Sequence, residues 1–166
     1  ILIKRASFED IFEKITQSSY FLSKAQKVTL KKHWNSRRKA GHAEANFISG
    51  IDLQRERKNS EAIYRYKMAI ELKPDFAKAH YNLGTVLFVE RKIEEAISHY
   101  KMAIELKPGY ANAHNNLGTA LSAEGKNEEA ISQYKTAIKI KPNYADAYYN
   151  LGSALSAEGK NEEAIS

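Results

Sequence analysis

Side chains that could make specific contacts recur at a fixed spacing in this chain. Asn82, Asn116 and Asn150 follow one another at intervals of 34 residues, as do His80 and His114. A primary amide donates and accepts hydrogen bonds at once, so a column of asparagines suits the N–H and C=O groups of an extended peptide. Helix formation does not explain the column, because Asn is roughly half a kcal/mol worse than Ala inside a helix. The simpler alternative is that duplication of a segment copied the residue.

Motifs for catalysis or metal binding are not expected. The histidine column continues as Tyr148, which favours core packing over metal binding. Residues 118–126 resemble a phosphate loop only superficially, since six residues separate the glycines where the motif has four and Asn127 replaces the required Ser/Thr. The Glu pairs 94–95 and 128–129 suit the positive ends of helices. We therefore predict no catalytic residue, no metal, no cofactor and no enzymatic activity.

Composition predicts a globular domain with a basic leading segment. The chain has 166 residues, 43% of them hydrophobic and 28% charged, and it has no cysteine. The lack of cysteine excludes disulfides and thiolate chemistry and favours a cytoplasmic location. Residues 1–42 carry ten Lys/Arg and three Asp/Glu, whereas residues 43–166 carry sixteen Lys/Arg and seventeen Asp/Glu. The formal net charge of +6 therefore comes from the leading segment.

The candidate side chains belong to an internal repeat of 34 residues. The repeat is marked by columns of small, aromatic and proline residues: Gly50, Gly84, Gly118, Gly152; Ala62, Ala96, Ala130, Ala164; Tyr66, Tyr100, Tyr134; Pro74, Pro108, Pro142. These columns predict units at 43–76, 77–110 and 111–144, an incomplete unit at 145–166, and a separate extension at 1–42. Because the last unit is cut short, we expect further repeats, a capping helix or another domain downstream.

Each unit has the pattern of a helical hairpin. Apolar residues of 77–90 recur at i, i+4, i+7 and i+8, which predicts a first helix, and Ala96 to Ile104 predict a second one that ends before Lys107-Pro108. Gly125 suits a left-handed turn between the helices, and Asn127 is predicted to cap the second helix. Short hairpins cannot bury their apolar faces alone, so we expect them to stack into a solenoid.

In residues 43–166 the chain resembles the tetratricopeptide repeat family. The resemblance is carried by residues that recur in register from unit to unit: Tyr81-Asn82-Leu83-Gly84, Ala96, Tyr100 and Pro108. Arg57 and Arg91 depart from the family by replacing the turn glycine. The resemblance implies an all-α, right-handed superhelical solenoid with an N-terminal helical extension. It also implies a non-catalytic scaffold that binds a protein or peptide partner in a concave groove lined by the first helices of the repeats.

The groove residues predicted to contact a partner lie on the first helix of each unit, opposite its packing stripe. They are Phe47, Ile51, Lys78, Tyr81, Asn82, Thr85, Asn115, Asn116, Thr119, Tyr149, Asn150 and Ser153. The asparagine column is similar to that of the protein O-GlcNAc transferases. The basic clamp by which chaperone-binding relatives hold C-terminal carboxylates is missing, because its two alternative sets of positions hold no Lys or Arg: Tyr81, Asp146, Asn150; Phe47, Asn112, Asn116.

The leading segment allows several roles. Residues 7–17 predict an amphipathic helix that shields the first repeat or lies in the groove, and residues 18–42 carry seven Lys/Arg and no acid. A solvated linker is the favoured interpretation. Nucleic acid is not expected as a partner, and peripheral membrane contact through residues 18–42 is an alternative. A further alternative is that the repeats are the substrate-docking arm of a larger enzyme, such as a repeat-containing glycosyltransferase.

Overall fold

The computed structural model describes residues 14, 22–157 and 159, and its regular elements are α-helices. They are α1 (Lys24–Arg55), α2 (Asn59–Leu72), α3 (Ala77–Val89), α4 (Ile93–Leu106), α5 (Ala111–Ala123), α6 (Asn127–Ile140) and α7 (Ala145–Ala157). The chain divides into two compact units, residues 1–41 and 42–166. The predicted leading helix at 7–17 and the end of the last repeat, including Ala164, lie outside the described residues, apart from Lys14, which is helical.

In the first unit, the described residues are mainly the basic part of α1. Residues 24–41 contain seven Lys/Arg and no Asp/Glu, and most of them are exposed. The guanidinium carbon of Arg38 lies 5.0 Å from the centre of the Trp34 ring, which is a cation–π contact. Within the part of the chain that the structure describes, no helix is both long and apolar enough to span a membrane.

In the second unit, glycine allows the two helices of each hairpin to pack closely. A Cβ atom added to Gly118 would lie 2.6 Å from Cε1 of Tyr134, and one added to Gly84 would lie 2.9 Å from the Tyr100 ring. Both tyrosines are buried. The Leu-Gly and Tyr columns of the sequence are therefore the two sides of one contact, in which the tyrosine ring occupies the space above the glycine backbone.

Backbone conformation fixes the turn between the helices of a hairpin. Gly125 has φ 77°, and Arg57 and Arg91 have φ 60° and 62°, so the two arginines adopt the left-handed conformation that glycine prefers. The predicted cap at Asn127 is wrong, because α6 already begins at Asn127 and its N-cap residue is Lys126, which makes no side-chain cap. The Asn127 amide oxygen instead accepts a hydrogen bond from Ser122 Oγ at 3.3 Å.

One continuous core joins the hairpins. It contains mainly large residues from the first helices and tyrosines from the second: Tyr66, Leu83, Leu87, Tyr100, Leu117, Leu121, Tyr134, Leu155. Helix α3 also contacts α5, and α5 contacts α7, while no comparable contact joins α2 to α4 or α4 to α6 in the described residues. From α2 to α7, the first helices α3, α5 and α7 therefore lie closer together than the second helices, so this part of the array curves toward its first helices.

Candidate partner-binding groove

The predicted site residues are on the inner, first-helix side of the curve but differ in accessibility. Lys78, Tyr149 and Ser153 are exposed, and Tyr149 keeps 76% of its surface accessible. Asn115 is 5% exposed. The remaining eight are half-buried: Phe47, Ile51, Tyr81, Asn82, Thr85, Asn116, Thr119, Asn150. Phe47 and Ile51 pack against the core, so the amino end of the groove is partly a framework surface.

Aromatic rings join the first helix of a repeat to the last residue of the same repeat, which is the N-cap of the next first helix. The Phe47 ring lies 4.8 Å from Phe76, and the Tyr81 ring lies 4.9 Å from Tyr110 at the equivalent positions. In the third repeat the inner position is Asn115, which leaves the aromatic partner Tyr144 without this contact. Burial, followed by the neighbouring Tyr81, raises the pKa of Tyr110 to about 12. The third repeat thus replaces an aromatic contact with an amide.

Asparagines form a directed chain of hydrogen bonds across three repeats. Asn150 Nδ2 donates to Asn115 Oδ1 at 3.1 Å, Asn115 Nδ2 donates to Asn116 Oδ1 at 3.3 Å, and Asn116 Nδ2 donates to the Tyr81 hydroxyl at 3.2 Å. Each of these bonds joins a donor to an acceptor, so the buried amide of Asn115 is satisfied on both sides. We call these four residues the amide chain.

Asn82 makes a different contact because its neighbour in the first repeat is apolar. Asn150 and Asn116 each reach the residue 35 positions earlier, and for Asn82 that residue is Phe47, which offers no acceptor. Asn82 Nδ2 instead donates to the Tyr66 hydroxyl at 3.4 Å, and this hydroxyl donates to Gln54 Oε1 at 2.9 Å. All three asparagines of the column therefore bond to the preceding repeat.

A recess of about 300 Å³ opens on the inner face between α5 and α7. Hydroxyl and amide groups supply most of its polar lining: Thr119, Ser122, Tyr134, Tyr149, Asn150, Ser153. The Tyr134 hydroxyl donates to Thr119 Oγ1 at 3.4 Å, whereas no hydrogen bond from another described residue reaches Ser153 or the Tyr149 hydroxyl. The lining has no charged side chain, so the recess suits an uncharged polar group.

The two histidines of the column are buried and hydrogen-bonded, whereas the core packing predicted for the column is wrong at Tyr148, which is 52% exposed. His114 Nδ1 lies 2.8 Å from Gln133 Oε1, and its Nε2 lies 3.1 Å from Pro108 O. His80 makes the equivalent contact with Pro74 O and pairs with His99 across the hairpin. Burial, and then the neighbouring His80 and Lys67, lower the pKa of His99 to about 4. The described residues contain no group of three or more His, Cys, Asp or Glu that could hold a metal ion.

Sequence reasoning did not single out His99, Gln133 or Gln54. His99 and Gln133 share one column, and each follows its histidine partner by 19 residues, as Arg65 follows Asn46. Arg65 Nη1 donates to Asn46 Oδ1 at 3.3 Å. A search for polar pairs 19 residues apart that recur from repeat to repeat could have found His99 and Gln133. It would not have found Gln54, which contacts Tyr66 12 residues away.

Family models identify the class of protein. A model described as TPR repeat matches residues 57–89 and 118–159, and two models described as tetratricopeptide repeat match residues 77–110 and 99–132. Together the matches span residues 57–159. The chain belongs to the tetratricopeptide repeat family, whose arrays act as protein-interaction scaffolds and are generally non-catalytic. A search of curated proteins found no match.

Solved structures with this fold agree with the family. The crystal structure of MamA matches with a TM-score of 0.73 and 28% identity, over 95% of this chain and 84% of that chain. The first TPR of Spaghetti (RPAP3), bound to the HSP90 peptide SRMEEVD, matches with a TM-score of 0.71 and 25% identity, over 72% of this chain and 95% of that chain. An O-GlcNAc transferase mutant of Thermobaculum terrenum matches with 0.67 and 27%, over 71% of this chain and 23% of that chain.

Proposed function

We propose that the repeats bind an extended, largely uncharged peptide segment of a partner protein along the inner face of α1, α3, α5 and α7. The observation that carries this proposal is the recess between α5 and α7, where exposed hydroxyl and amide groups have no charged neighbour in the lining. An extended peptide presents N–H and C=O groups at every residue, and hydroxyls and amides can bond to both. Aromatic and aliphatic residues toward the amino end favour apolar side chains of the ligand there.

The amide chain limits what the asparagine column can offer to a ligand. The Nδ2 atoms of Asn82, Asn116 and Asn150 donate to the preceding repeat. The oxygen of Asn116 accepts from Asn115, while no donor from another described residue reaches the oxygens of Asn82 and Asn150. We therefore propose that Asn82 and Asn150 act as acceptors for ligand N–H groups, with their orientation fixed by the framework.

The lack of Lys or Arg at the clamp positions argues for a ligand unlike an acidic chaperone tail. The solved relative with the SRMEEVD peptide holds a segment that ends in acidic residues. In this chain the alternative clamp positions hold Tyr81, Asp146 and Asn150, or Phe47, Asn112 and Asn116. A carboxylate bound there would gain no ion pair from these positions, and one of the two sets would place it beside the like charge of Asp146.

A groove variant with little structural role gives the sharpest test. Tyr149→Ser changes a residue that is 76% exposed, so the fold should survive. Ile51→Ser would confuse binding with stability, because Ile51 packs against the core. Partners captured from lysate would be identified by mass spectrometry and mapped to a peptide, and its affinity would be measured by calorimetry.

We expect Tyr149→Ser and Asn150→Ala to weaken binding at least five-fold, and the outer-face control Ser132→Ala to leave it unchanged. Equal affinity for all variants would move the binding site away from the groove. A melting curve of Asn150→Ala is also needed to separate lost binding from lost stability, because Asn150 donates a hydrogen bond to Asn115 in the preceding repeat.

A second candidate function is that of a substrate-docking arm in a larger enzyme. It is favoured by the likeness to the O-GlcNAc transferase mutant, of which this chain covers 23%. Sequencing the complete transcript tests it. A reading frame that continues into a catalytic domain supports the docking arm, and one that ends within the repeat array refutes it.

A further inference from the structure

Two histidine rings between α3 and α4 contact each other through their Nδ1 atoms, with an angle of 35° between the ring planes. His80 Nδ1 lies 3.1 Å from His99 Nδ1, and His80 Nε2 lies 3.1 Å from the carbonyl oxygen of Pro74. A carbonyl only accepts, so Nε2 of His80 carries a proton, and Nδ1 of the neutral ring presents a lone pair toward His99. His99 then donates from its own Nδ1. The His80 Nδ1 lone pair is therefore occupied by this hydrogen bond, and it becomes free for another ligand only when His99 Nδ1 gives up its proton.

The separation of the two nitrogens fits two ligands of one metal ion. Imidazole nitrogens about 2.0–2.1 Å from a metal stand about 2.9–3.4 Å apart when the angle between them is about 90–110°. The hydrogen bond from His80 Nε2 to a backbone carbonyl is the outer contact that metal-binding histidines usually make, because it fixes the tautomer and the ring orientation. His80 is 7% exposed, and His99 is half-buried, so solvent reaches the pair through His99.

We infer that His80 and His99 form a two-histidine site for a borderline transition-metal dication, with water as the remaining ligands. Affinity is expected to be highest for Cu²⁺, above Ni²⁺ and Zn²⁺. When the ion binds, His99 Nδ1 releases its proton to water and Nε2 takes one up, so the charge of the ring is unchanged. Because the described residues supply no third metal ligand around the pair, the ion exchanges with solvent and other chelators.

The next repeat contains a natural control for this site. His114 has the same contact with a proline carbonyl, but its partner is Gln133, whose amide oxygen lies 2.8 Å away. An amide oxygen is a hard donor and a poor ligand for these ions. His99→Gln copies a pair that the fold already accommodates, and Gln133→His creates a second pair of histidines in the third repeat.

The test is titration of the full chain and both variants with CuCl₂, NiCl₂ and ZnCl₂ in a calorimeter at pH 7.5. Electron paramagnetic resonance of the Cu²⁺ form would count the nitrogen ligands. We expect one Cu²⁺ per wild-type chain with two imidazole nitrogens, at least ten-fold weaker binding to His99→Gln, and a second equivalent in Gln133→His. The exposed His33 and His42 are present in every variant and supply the background.

Two results would overturn the inference. The first is a wild-type chain that binds none of the three ions above the background of a His80→Gln, His99→Gln double variant. The second is unchanged Cu²⁺ affinity in His99→Gln, which would assign the ion to surface histidines. Circular dichroism and melting curves without metal are expected to be similar for wild type and His99→Gln, so loss of fold cannot imitate loss of the site.

Discussion

Replacing Gly118 by Ala should destabilise the array, although alanine is the better helix former. The new Cβ would lie 2.6 Å from Cε1 and 2.9 Å from Cδ1 of Tyr134, whose ring is 3% exposed and cannot turn away. Overpacking of this kind costs about 1–3 kcal/mol, and the higher helix propensity of Ala returns about 1 kcal/mol. We therefore expect a net loss of about 1 kcal/mol, with a range from about 0 to 2.

Gly152→Ala is the matched control. Gly152 occupies the same column in nearly identical sequence, and no described residue lies within 4 Å of its added Cβ. Only the propensity gain applies there, so this variant should be unchanged or stabilised by up to about 1 kcal/mol. The difference between the two variants isolates the steric contact.

Urea unfolding followed by circular dichroism at 222 nm measures both effects, provided that the slope m is the same for all proteins. Hydrogen exchange would show whether the loss is local to α5 and α6, since stability in repeat arrays is distributed over the units. If Gly118→Ala proves at least as stable as Gly152→Ala, the glycine–tyrosine contact does not limit the approach of the helices.

The remaining predictions concern a turn, a phenol and the amide chain. Arg91→Gly should stabilise the protein by about 0.5–1 kcal/mol in urea unfolding, because Arg91 has φ 62°. A left-handed non-glycine residue costs about 1–2 kcal/mol, and the greater backbone entropy of unfolded glycine offsets part of the gain. Conversely, Gly125→Ala should destabilise the protein by about 1 kcal/mol. Burial raises the pKa of Tyr110 from 10.0 to about 12, so its contribution is full below pH 10 and is lost as the pH rises toward 12. The melting temperature should fall less steeply with rising pH for Tyr110→Phe than for the wild type, and an equal slope for the two proteins would contradict the raised pKa of Tyr110. Asn115→Asp should cost about 1–3 kcal/mol at pH 7, because a buried carboxylate would face the Asn116 oxygen. Part of this stability should return at pH 4, where the protonated acid can donate, and unfolding at both pH values checks it.

The architecture could be predicted because the repeat reports the same contact several times. One Leu-Gly pair or one tyrosine has many explanations, whereas the Gly and Tyr columns recur in register, and the structure shows that Gly84 with Tyr100 and Gly118 with Tyr134 are in contact. The capping role of Asn127 was wrong because propensity does not fix a helix start to one residue, and here the turn after Gly125 already places Asn127 within the helix.

Contacts between units could not be predicted from the periodicity. The period of 34 places Asn82, Asn116 and Asn150 on one face, but it does not say whether that face meets the groove or the preceding repeat. The observed bonds of Asn116 and Asn150 run to residues 35 positions earlier, so the offset arises from the packing of one hairpin against the next. The pairing of His80 with His99 likewise depends on the turn between two helices, and sequence spacing alone does not fix its geometry.

The amide chain also changes the meaning of the column. If the asparagines only bound a ligand, the residue at position 115 could remain aromatic, as Phe47, Tyr81 and Tyr149 are in the other repeats. Instead, Asn115 is buried between Asn150 and Asn116 and bonds to both. Its amide serves the stacking of repeats, because a residue that is 5% exposed offers little surface to a ligand. Stacking therefore accounts for the donor side of the asparagine column. No donor from another described residue reaches the oxygens of Asn82 and Asn150, and these are the atoms we propose for ligand recognition.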